Sequence, residues 1–211
     1  MTDHTEAQAS QTDTGPLVLA SASPRRRELL TQAGYPFEVR TSDVDEGDGG
    51  AFHHPAAFAR AAATLKAESV AAGLERGVVI GADTIVVLDE HILGKPRDED
   101  DAARMLTLLS GRTHQVITGL CVLQVAANAN VSMAEDHVVT EVHMRPITPA
   151  EIEAYIATGE PMDKAGAYGI QGRAAVFISG VMGDYFNVVG LPLFTLSGML
   201  SDLGLEPFAP R

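Results

Sequence analysis

The sequence predicts an α/β fold, a mixed and twisted β-sheet with flanking helices. Short β-branched runs alternate along the whole chain with stretches that carry helix caps and helix-forming residues. The 211 residues are 45% hydrophobic, which supports a buried core and argues against a disordered chain. No apolar run approaches the roughly 18 residues that a membrane span needs, so we expect no membrane-spanning segment.

The first residues differ from the rest of the chain. Residues 1–16 are polar and carry three acids and no Lys or Arg. They lack the basic start and apolar centre of a secretory signal. We therefore expect a disordered tail over residues 1–16, a single domain over residues 17–211 and a cytoplasmic location.

Turn and cap residues divide the first half into elements. Ser23 suits an N-cap and Pro24 the first helical position, while Gly34 and Gly73 suit helix ends. Asp89-Glu90 suits the turn of a hairpin. The predicted elements are strands over 17–20 and 37–41, helices over 24–33 and 55–72, an acidic loop over 43–55, and hairpin strands over 78–88 and 91–93.

The second half is divided in the same way. Thr148 and Glu151 have the spacing of a capping box, which opens a helix. The predicted elements are helices over 98–109, 148–157 and 192–203, and strands over 114–125, 136–144, 174–179 and 184–189, with a loop over 126–135.

Charge and composition narrow the partners. The chain has 28 acidic and 15 basic residues, a formal net charge of −13, so it should repel nucleic acids and anionic membranes. The absence of Trp and an aromatic content of 5% argue against a stacking platform for single strands. Cys121 is the one cysteine, which excludes an internal disulfide and fits a small buried hydrophobe.

Lysine is rare in this chain. Twelve of the 15 basic residues are Arg, and the three lysines are Lys66, Lys95 and Lys164. Each is therefore a candidate for a task that needs a compact ammonium group rather than a planar guanidinium. Chance or coding bias is the alternative.

A basic turn follows the first strand. Arg25, Arg26 and Arg27 lie in the first turn of the predicted helix, where the helix dipole disfavours cations. An anion would remove this conflict, because helix N–H groups, the hydroxyls of Ser21 and Ser23, and guanidinium groups together form a polyphosphate cradle. The alternative is a solvated turn with ion pairs to Glu28.

Asp83 interrupts a stretch that should lie inside the sheet. Apolar residues surround it on both sides, so its carboxylate must be paired, hydrogen-bonded or bound to metal. If Asp89-Glu90 is a two-residue turn, Leu88 faces His91, and Thr84 then faces Lys95. This register brings a carboxylate and an ammonium group together, either as a structural ion pair or as a functional site.

Two further segments could contact a ligand. Residues 163–172 contain three glycines with Lys164 and Gln171, which suits a loop close to a ligand or an ordinary turn. The sequence has no HExxH motif and no Cys–His cluster, so zinc is not expected. Carboxylates, with Glu46 as a candidate in the acidic loop, favour magnesium or manganese; a solvated loop is the alternative.

Several of these segments, in this order, resemble the Maf family of nucleoside triphosphate pyrophosphatases, from Leu17 to about Leu200. The matching segments are residues 19–26, Gly81-Ala82-Asp83-Thr84, Gly94-Lys95-Pro96, Thr118-Gly119, residues 163–171 and residues 187–192. The resemblance implies an elongated, two-lobed α/β domain with a central cleft of the Maf/ITPase type, often a homodimer. It implies hydrolysis of a nucleoside triphosphate to the monophosphate and pyrophosphate with Mg²⁺ or Mn²⁺.

The resemblance also implies roles for individual residues. Asp83 resembles the general base, while Arg26, Lys66, Lys95 and Glu46 resemble phosphate and metal contacts, with Asp83 as a second metal ligand. Residues 169–171 resemble the branch that acts on dTTP and UTP. The family assigns base selection to the positions of Arg25, Thr84 and Gln171, and the amide of Gln171 suits the imide edge of uracil or thymine. Lys164, Ser21 and Ser23 complete the predicted substrate contacts.

One position departs from the family pattern, and two other functions compete. Ala61 stands where the family usually has an Arg, five residues before Lys66, and Arg60 lies one position earlier. The main alternative is a non-catalytic regulator of cell division that acts through a protein partner. A second is a hydrolase for damaged purine nucleotides.

Overall fold

The structure is a computed structural model that describes residues 14–44, 54–89, 91–126 and 131–208. The acidic loop from residue 45 to 53, with Glu46, and residues 1–13 of the predicted tail lie outside the described residues. No helix in the described ranges is long and apolar enough to cross a membrane.

The described strands form one seven-stranded sheet. They are β1 (Leu17–Leu19), β2 (Glu38–Val39), β3 (Gly77–Leu88), β4 (His91–Leu93), β5 (Thr113–Val125), β6 (Val131–Met144) and β7 (Ile178–Met182). The sheet order is β2-β1-β3-β5-β6-β7, with β4 paired to β3. β1 is parallel to β2 and β3 and the other pairs are antiparallel, so the prediction of a mixed sheet is confirmed.

The helices flank this sheet on both faces. They are α1 (Pro24–Gln32), α2 (Pro55–Ala71), α3 (Glu99–Leu109), α4 (Pro149–Ile156), α5 (Tyr185–Val189) and α6 (Leu193–Ser201). Short 3-10 helices lie at Glu160–Asp163, Ala165–Ala167 and Arg173–Phe177. The capping box of Thr148 and Glu151 forms as predicted, and the Asp98 side chain caps α3.

The pairing along β3 creates the opening that holds the site. On one edge, β1 pairs with residues 78–80 and β4 pairs with residues 86–88. The other edge pairs with β5 over residues 77–87. Residues 81–85 therefore have a strand neighbour on one side only within the described chain, and a cleft opens there.

The hydrophobic core divides at the same place. At the β1 end, α2 covers one face of the sheet and α1, α5 and α6 cover the other. At the β4 end, α2 again covers one face, while α3 and α4 pack against the other. Asp83 and Thr84 lie between the two ends, so polar side chains separate the two parts of the core.

Three predicted elements are wrong in type or extent. Residues 184–189 are not a strand: the Asp184 carboxylate accepts hydrogen bonds from the backbone of Phe186 and Asn187 and so starts α5. The predicted strand over 174–179 is mostly a 3-10 helix, Arg173–Phe177. The strand β7 begins only at Ile178 and pairs with β6. β6 begins at Val131 rather than at residue 136, because its pairing with β5 continues to Val125.

Candidate active site

A cleft of about 940 Å³ opens beside the half-paired segment of β3. It is lined by the loop after β1, the first turn of α1, β3, the end of β4 and the segment from residue 160 to 172. The predicted site residues that line it are Ser21, Ser23, Arg25, Arg26, Lys66, Asp83, Thr84, Lys95, Lys164 and Gln171. Glu46, the predicted metal ligand, lies outside the described residues.

The centre of the cleft is a buried ion pair. The Nζ atom of Lys66 lies 2.7 Å from Oδ1 of Asp83, and the two residues are 8% and 6% exposed. Lys66 also donates to the carbonyl of Ala82 at 3.4 Å. Removing one partner of a buried ion pair typically destabilises a protein by about 3–5 kcal/mol, so the pair should contribute to the stability of this region.

Close packing of α2 on the sheet brings Lys66 to Asp83. A Cβ atom added at Gly81 would collide with the backbone carbonyl of Ala63, so α2 can lie against β3 only because that position has no side chain. Lys66 follows Ala63 by one helical turn and therefore reaches the next residue that β3 directs toward α2, which is Asp83.

Arg26 is fixed at the α1 end of the cleft. Its guanidinium donates to the Gly190 carbonyl at 2.8 Å, to Oγ of Ser21 at 3.1 Å and to Oγ1 of Thr84 at 3.0 Å. These three contacts fix the orientation of the Arg26 guanidinium at this end of the cleft.

The hydroxyl of Thr84 belongs to a directed hydrogen-bond chain. Oγ1 of Thr118 donates to the backbone carbonyl of Asn187 at 3.0 Å. Because the Thr118 proton is used in that bond, Thr84 must be the donor in the 2.9 Å contact between the two threonine hydroxyls. Arg26 donates to Thr84 and so leaves the Thr84 proton available for this contact. Arg26 is thereby connected through β3 and β5 to α5.

Asn187 anchors the far end of this chain. Its amide nitrogen donates to the Val116 carbonyl and to Oγ1 of Thr140, at 2.9 Å each. The residue is fully buried, so these bonds hold α5 against β5 and β6. The α5 segment in turn positions the Gly190 carbonyl that receives Arg26.

The first turn of α1 departs from its prediction in two respects. Ser23 occupies the N-cap position, but its side chain makes no cap hydrogen bond; instead, its backbone N–H donates to Oγ of Ser21. Only two of the three arginines line the cleft, since Arg27 is exposed and is not among the lining residues.

An ion-pair network connects the α1 side of the cleft with the segment after α4. Arg25 lies 3.4 Å from one carboxylate oxygen of Asp163, and Nζ of Lys164 lies 2.6 Å from the other. Partial burial alone would raise the pKa of Asp163, but the hydrogen bond and charge of Lys164, with the charge of Arg25, lower it below its usual value. The Asp163 carboxylate therefore stays ionised between two cations.

Lys95 lies in the cleft, but the predicted pairing of Lys95 with Thr84 is wrong. Leu88 faces His91 as expected, but the β4 ladder ends at the pair of Val86 and Leu93. The Gly94 carbonyl accepts a hydrogen bond from the backbone of Gly166, so beyond Leu93 the chain pairs with that segment rather than continuing the ladder with β3. Lys95 is exposed on the cleft wall, and its ammonium group has no hydrogen-bond partner among the described residues.

Gln171 also lines the cleft and lies in a tight turn. The backbone N–H of Gly172 donates to the Gly169 carbonyl at 3.0 Å, which places Ile170 and Gln171 at the centre of the turn. Gln171 is exposed, and within the described chain its amide makes no hydrogen bond, so it can pair with a ligand.

Arg60 does not replace the arginine that the family has at the position of Ala61. Its guanidinium lies 3.0 Å from Nδ1 of His137 on β6, and it is not among the residues that line the cleft. Arg60 therefore contacts β6 and adds no positive charge to the cleft wall.

The structure also reveals cleft residues that the sequence reasoning missed. Glu160 and Tyr168 line the cleft, and Asn187 organises it from behind. A polar residue between the apolar Phe186 and Val188 was a signal for Asn187. Tyr168 lies within the predicted segment of residues 163–172 but was not singled out, because its partner, the buried His114, is 54 positions away.

The family profile and the curated relatives agree with each other. A family profile described as Maf-like protein matches residues 16–203. The dTTP/UTP pyrophosphatase of Moorella thermoacetica is 53% identical over 192 residues, covering 90% of this chain and 96% of that protein. The dTTP/UTP pyrophosphatase of Alkaliphilus metalliredigens is 54% identical over 188 residues, covering 87% and 94%. The Ham1 protein of Staphylococcus aureus aligns at 14% identity with a TM-score of 0.46, covering 89% of this chain and 98% of that one.

Proposed function

The chain belongs to the Maf family, and we propose on that basis that it hydrolyses dTTP and UTP to the nucleoside monophosphate and pyrophosphate. The observation that carries the proposal is the buried pair of Asp83 and Lys66 in a cleft that also contains the oriented charge of Arg26. A base, fixed cations and an open cavity are the parts that hydrolysis of a phosphoanhydride requires.

Asp83 is the proposed general base. Its carboxylate takes a proton from a water molecule as the water oxygen forms a bond to the α-phosphorus. The bond between the α-phosphorus and the oxygen that bridges to the β-phosphorus breaks, and the electron pair leaves with pyrophosphate. Lys66, at 2.7 Å, donates a charge-assisted hydrogen bond that holds the Asp83 carboxylate in place.

Several cationic side chains are proposed to bind the phosphate groups of the substrate. Arg26 lies at the N-terminal turn of α1, where backbone N–H groups add to its attraction for an anion. Lys95 lies on the opposite wall, and its ammonium group has no partner within the described ranges, so it is available to the β- or γ-phosphate. Lys164, Arg25, Ser21 and Ser23 complete the proposed phosphate and sugar contacts. This local positive charge opposes the net charge of −13.

The proposed divalent cation would be held by few protein oxygens. The described residues contain no group of three or more His, Cys, Asp and Glu side chains able to hold a metal. A cation held by one or two carboxylates and by substrate phosphate oxygens is the usual arrangement for Mg²⁺ or Mn²⁺. Asp83 and Glu46 would hold it, and when bound it would neutralise charge that develops on the leaving pyrophosphate.

The nucleobase of the substrate is proposed to lie at Gln171. Its amide offers one donor and one acceptor, which match the carbonyl and imide N–H of uracil or thymine. Arg25 and Thr84 line the same cleft and remain proposed base-selection residues. The hydroxyl of Thr84, however, already serves Arg26 and Thr118, so we infer that its main effect on the base is indirect.

A panel of nucleoside triphosphates tests the proposal. The purified protein is incubated with each nucleotide and Mg²⁺ or Mn²⁺, and pyrophosphate release is measured, with chelator as the control. We expect kcat/KM to be highest for dTTP and UTP. Preference for a damaged purine nucleotide would support the second alternative, and no hydrolysis of any nucleotide would support a non-catalytic regulator.

Oxygen-18 water locates the attacked phosphorus. Hydrolysis of UTP in labelled water should place the label in UMP, because the water oxygen bonds to the α-phosphorus. Label in pyrophosphate would mean attack at the β-phosphorus and would contradict the proposed position of Asp83.

Two further expectations stay predictions. A cytoplasmic location fits a nucleoside triphosphate substrate. A homodimer is expected from the family, and light scattering coupled to size-exclusion chromatography would distinguish it from a monomer of 22.3 kDa.

A further inference from the structure

The turn that carries Gln171 needs a rigid backbone to discriminate between pyrimidines. A glutamine amide can rotate by half a turn and exchange its oxygen and nitrogen. It therefore matches both uracil, which offers a carbonyl acceptor, and cytosine, which offers an amino donor. Selection of uracil over cytosine requires groups that cannot rotate, and the backbone of residues 169–172 supplies them only if that backbone is held in place.

One carboxylate connects the two ends of this turn. Oε2 of Glu160 accepts a hydrogen bond from the backbone N–H of Arg173 at 3.0 Å. Oε1 accepts a hydrogen bond from the hydroxyl of Tyr155 at 2.9 Å, and the oxygen of that hydroxyl accepts one from the backbone N–H of Gly169 at 3.3 Å. Glu160 thus holds the exit of the turn directly and its entry through Tyr155.

The two side chains that hold the turn are themselves fixed. Tyr155 is buried and packs edge-to-face against Phe177, with ring centroids 5.5 Å apart. Burial and the adjacent Glu160 carboxylate raise the pKa of Tyr155, so its hydroxyl remains a donor. The backbone N–H of Glu160 donates to Thr158, and its carbonyl accepts from Lys164.

The Glu160 carboxylate packs tightly against the turn of residues 169–172. A Cβ atom added at Gly172 would collide with the Glu160 carboxylate. Within the described residues, the backbone N–H groups of Ile170 and Gln171 make no hydrogen bond, so both are available to a ligand. The contacts therefore hold the ends of the turn and leave its centre exposed in the cleft.

We propose that Glu160 is a positioning residue for base selection, whose carboxylate fixes the backbone of residues 169–173 so that the cleft accepts uracil and thymine and rejects cytosine. This proposal rests on the proposed function. Glu160 acts through the turn and has no assigned part in the chemistry at the α-phosphorus.

Two substitutions release the ends of the turn separately. In Glu160→Gln, the amide nitrogen cannot accept a hydrogen bond, so at least one of the two contacts is lost. Tyr155→Phe removes the hydroxyl that connects Glu160 to Gly169. The matched control is Glu151→Gln on α4, whose carboxylate contacts Arg145 and Thr148 outside the cleft.

The experiment measures kcat and KM for UTP and CTP, together with the thermal unfolding of each variant. In both cleft variants we expect KM for UTP to rise and the UTP-to-CTP ratio of kcat/KM to fall about tenfold. We expect kcat/KM for CTP in these variants to stay within about twofold of the value for the unsubstituted chain. In Glu151→Gln, kcat/KM should stay within about twofold for both UTP and CTP.

A merely structural role gives a different result. If Glu160→Gln and Tyr155→Phe lower kcat/KM for UTP and CTP by the same factor, or leave the ratio unchanged, the positioning role is wrong while the proposed function stands. If the unsubstituted chain does not hydrolyse UTP, the proposed function and this inference both fail.

Discussion

The three lysines lie in one cleft, yet each has a different environment. Lys66 is buried against Asp83, and Lys164 contacts Asp163 and the Glu160 carbonyl. Lys95 is exposed, and its ammonium group is unpaired within the described chain. A compact ammonium group suits all three positions, because each lies among backbone carbonyls or carboxylates, or has open space for a phosphate.

Substitution of Gln171 tests base recognition at a single residue. In Gln171→Glu the carboxylate can only accept hydrogen bonds, so it repels the uracil carbonyl and attracts the cytosine amino group. We expect kcat/KM for UTP to fall by about tenfold or more relative to that for CTP.

Gln115→Glu is the control for the added charge, since residue 115 is exposed on β5 and does not line the cleft. An added negative charge alone lowers the affinity for every nucleotide, so the ratio between bases isolates recognition. Unchanged ratios in Gln171→Glu would remove that residue from base selection.

Sequence reasoning found cleft residues where a residue type was out of place. A lone acid in an apolar stretch indicated Asp83, and scarce lysines indicated Lys66, Lys95 and Lys164. Glu160 is ordinary in a chain with 28 acids, and its importance depends on the turn that lies beside it in space. No local pattern predicts such a contact.

At the level of elements, the approach of α2 to β3 decides where Lys66 lies. Gly81→Ala adds a methyl group that collides with the Ala63 carbonyl, so α2 must move away from the sheet. We expect a loss of about 1–3 kcal/mol in the free energy of unfolding, the usual effect of overpacking. We also expect a lower kcat, because the contact between Lys66 and Asp83 lengthens.

Gly198→Ala is the control, since a Cβ there meets nothing within 4 Å and the position is helical. Denaturant unfolding of both variants measures the effect. Equal stability in Gly81→Ala and the unsubstituted chain would show that α2 does not depend on this close contact.

Element type was predictable where caps and periodicity agreed, and not where tertiary context decided. The helix after Thr148 was predicted from its capping box. The stretch over 184–189 is β-branched and aromatic enough to suggest a strand, but Asp184 caps it and the buried Asn187 ties it to β5 as a helix. The start of β6 depends on hairpin pairing with the end of β5, from Val125 opposite Val131, which the small and polar residues of this stretch do not indicate.

For the whole molecule, the cleft is a consequence of sheet topology. β1 and β4 share one edge of β3 and leave residues 81–85 between them. The hairpin of β3 and β4 is local and was predicted, whereas the parallel pairing of β1 with β3 joins segments about 60 residues apart. The fold class could therefore be read from the sequence, but the position of the opening could not.

His114 should account for a large part of the loss of global stability at acidic pH. Burial, with the nearby His143, lowers the pKa of His114 to about 4. The unfolded chain, with a usual pKa of about 6.5, binds this proton first, so the stabilising effect of the neutral ring is present above that pH and is lost as the pH falls toward 4. The total effect is on the order of 3 kcal/mol.

His114→Phe tests this dependence, because it removes the titrating group. Urea unfolding at pH 7 and pH 5 should show a smaller loss of stability on acidification in the variant than in the unsubstituted chain. Other groups titrate in both proteins, so the comparison isolates His114. An equal loss in both proteins would show that His114 does not titrate as its burial requires.

The measurement that tests the central claim most directly is UTP hydrolysis by Asp83→Asn. The amide can keep a hydrogen bond with Lys66 but cannot take a proton from water, so we expect kcat to fall about 10²- to 10⁴-fold. Asp101→Asn is the control, since Asp101 is a buried carboxylate paired with Arg97 and Arg104 outside the cleft; it should lose stability and keep kcat. A folded Asp83→Asn that hydrolyses UTP at nearly the normal rate would contradict the account, because the base would then be another group.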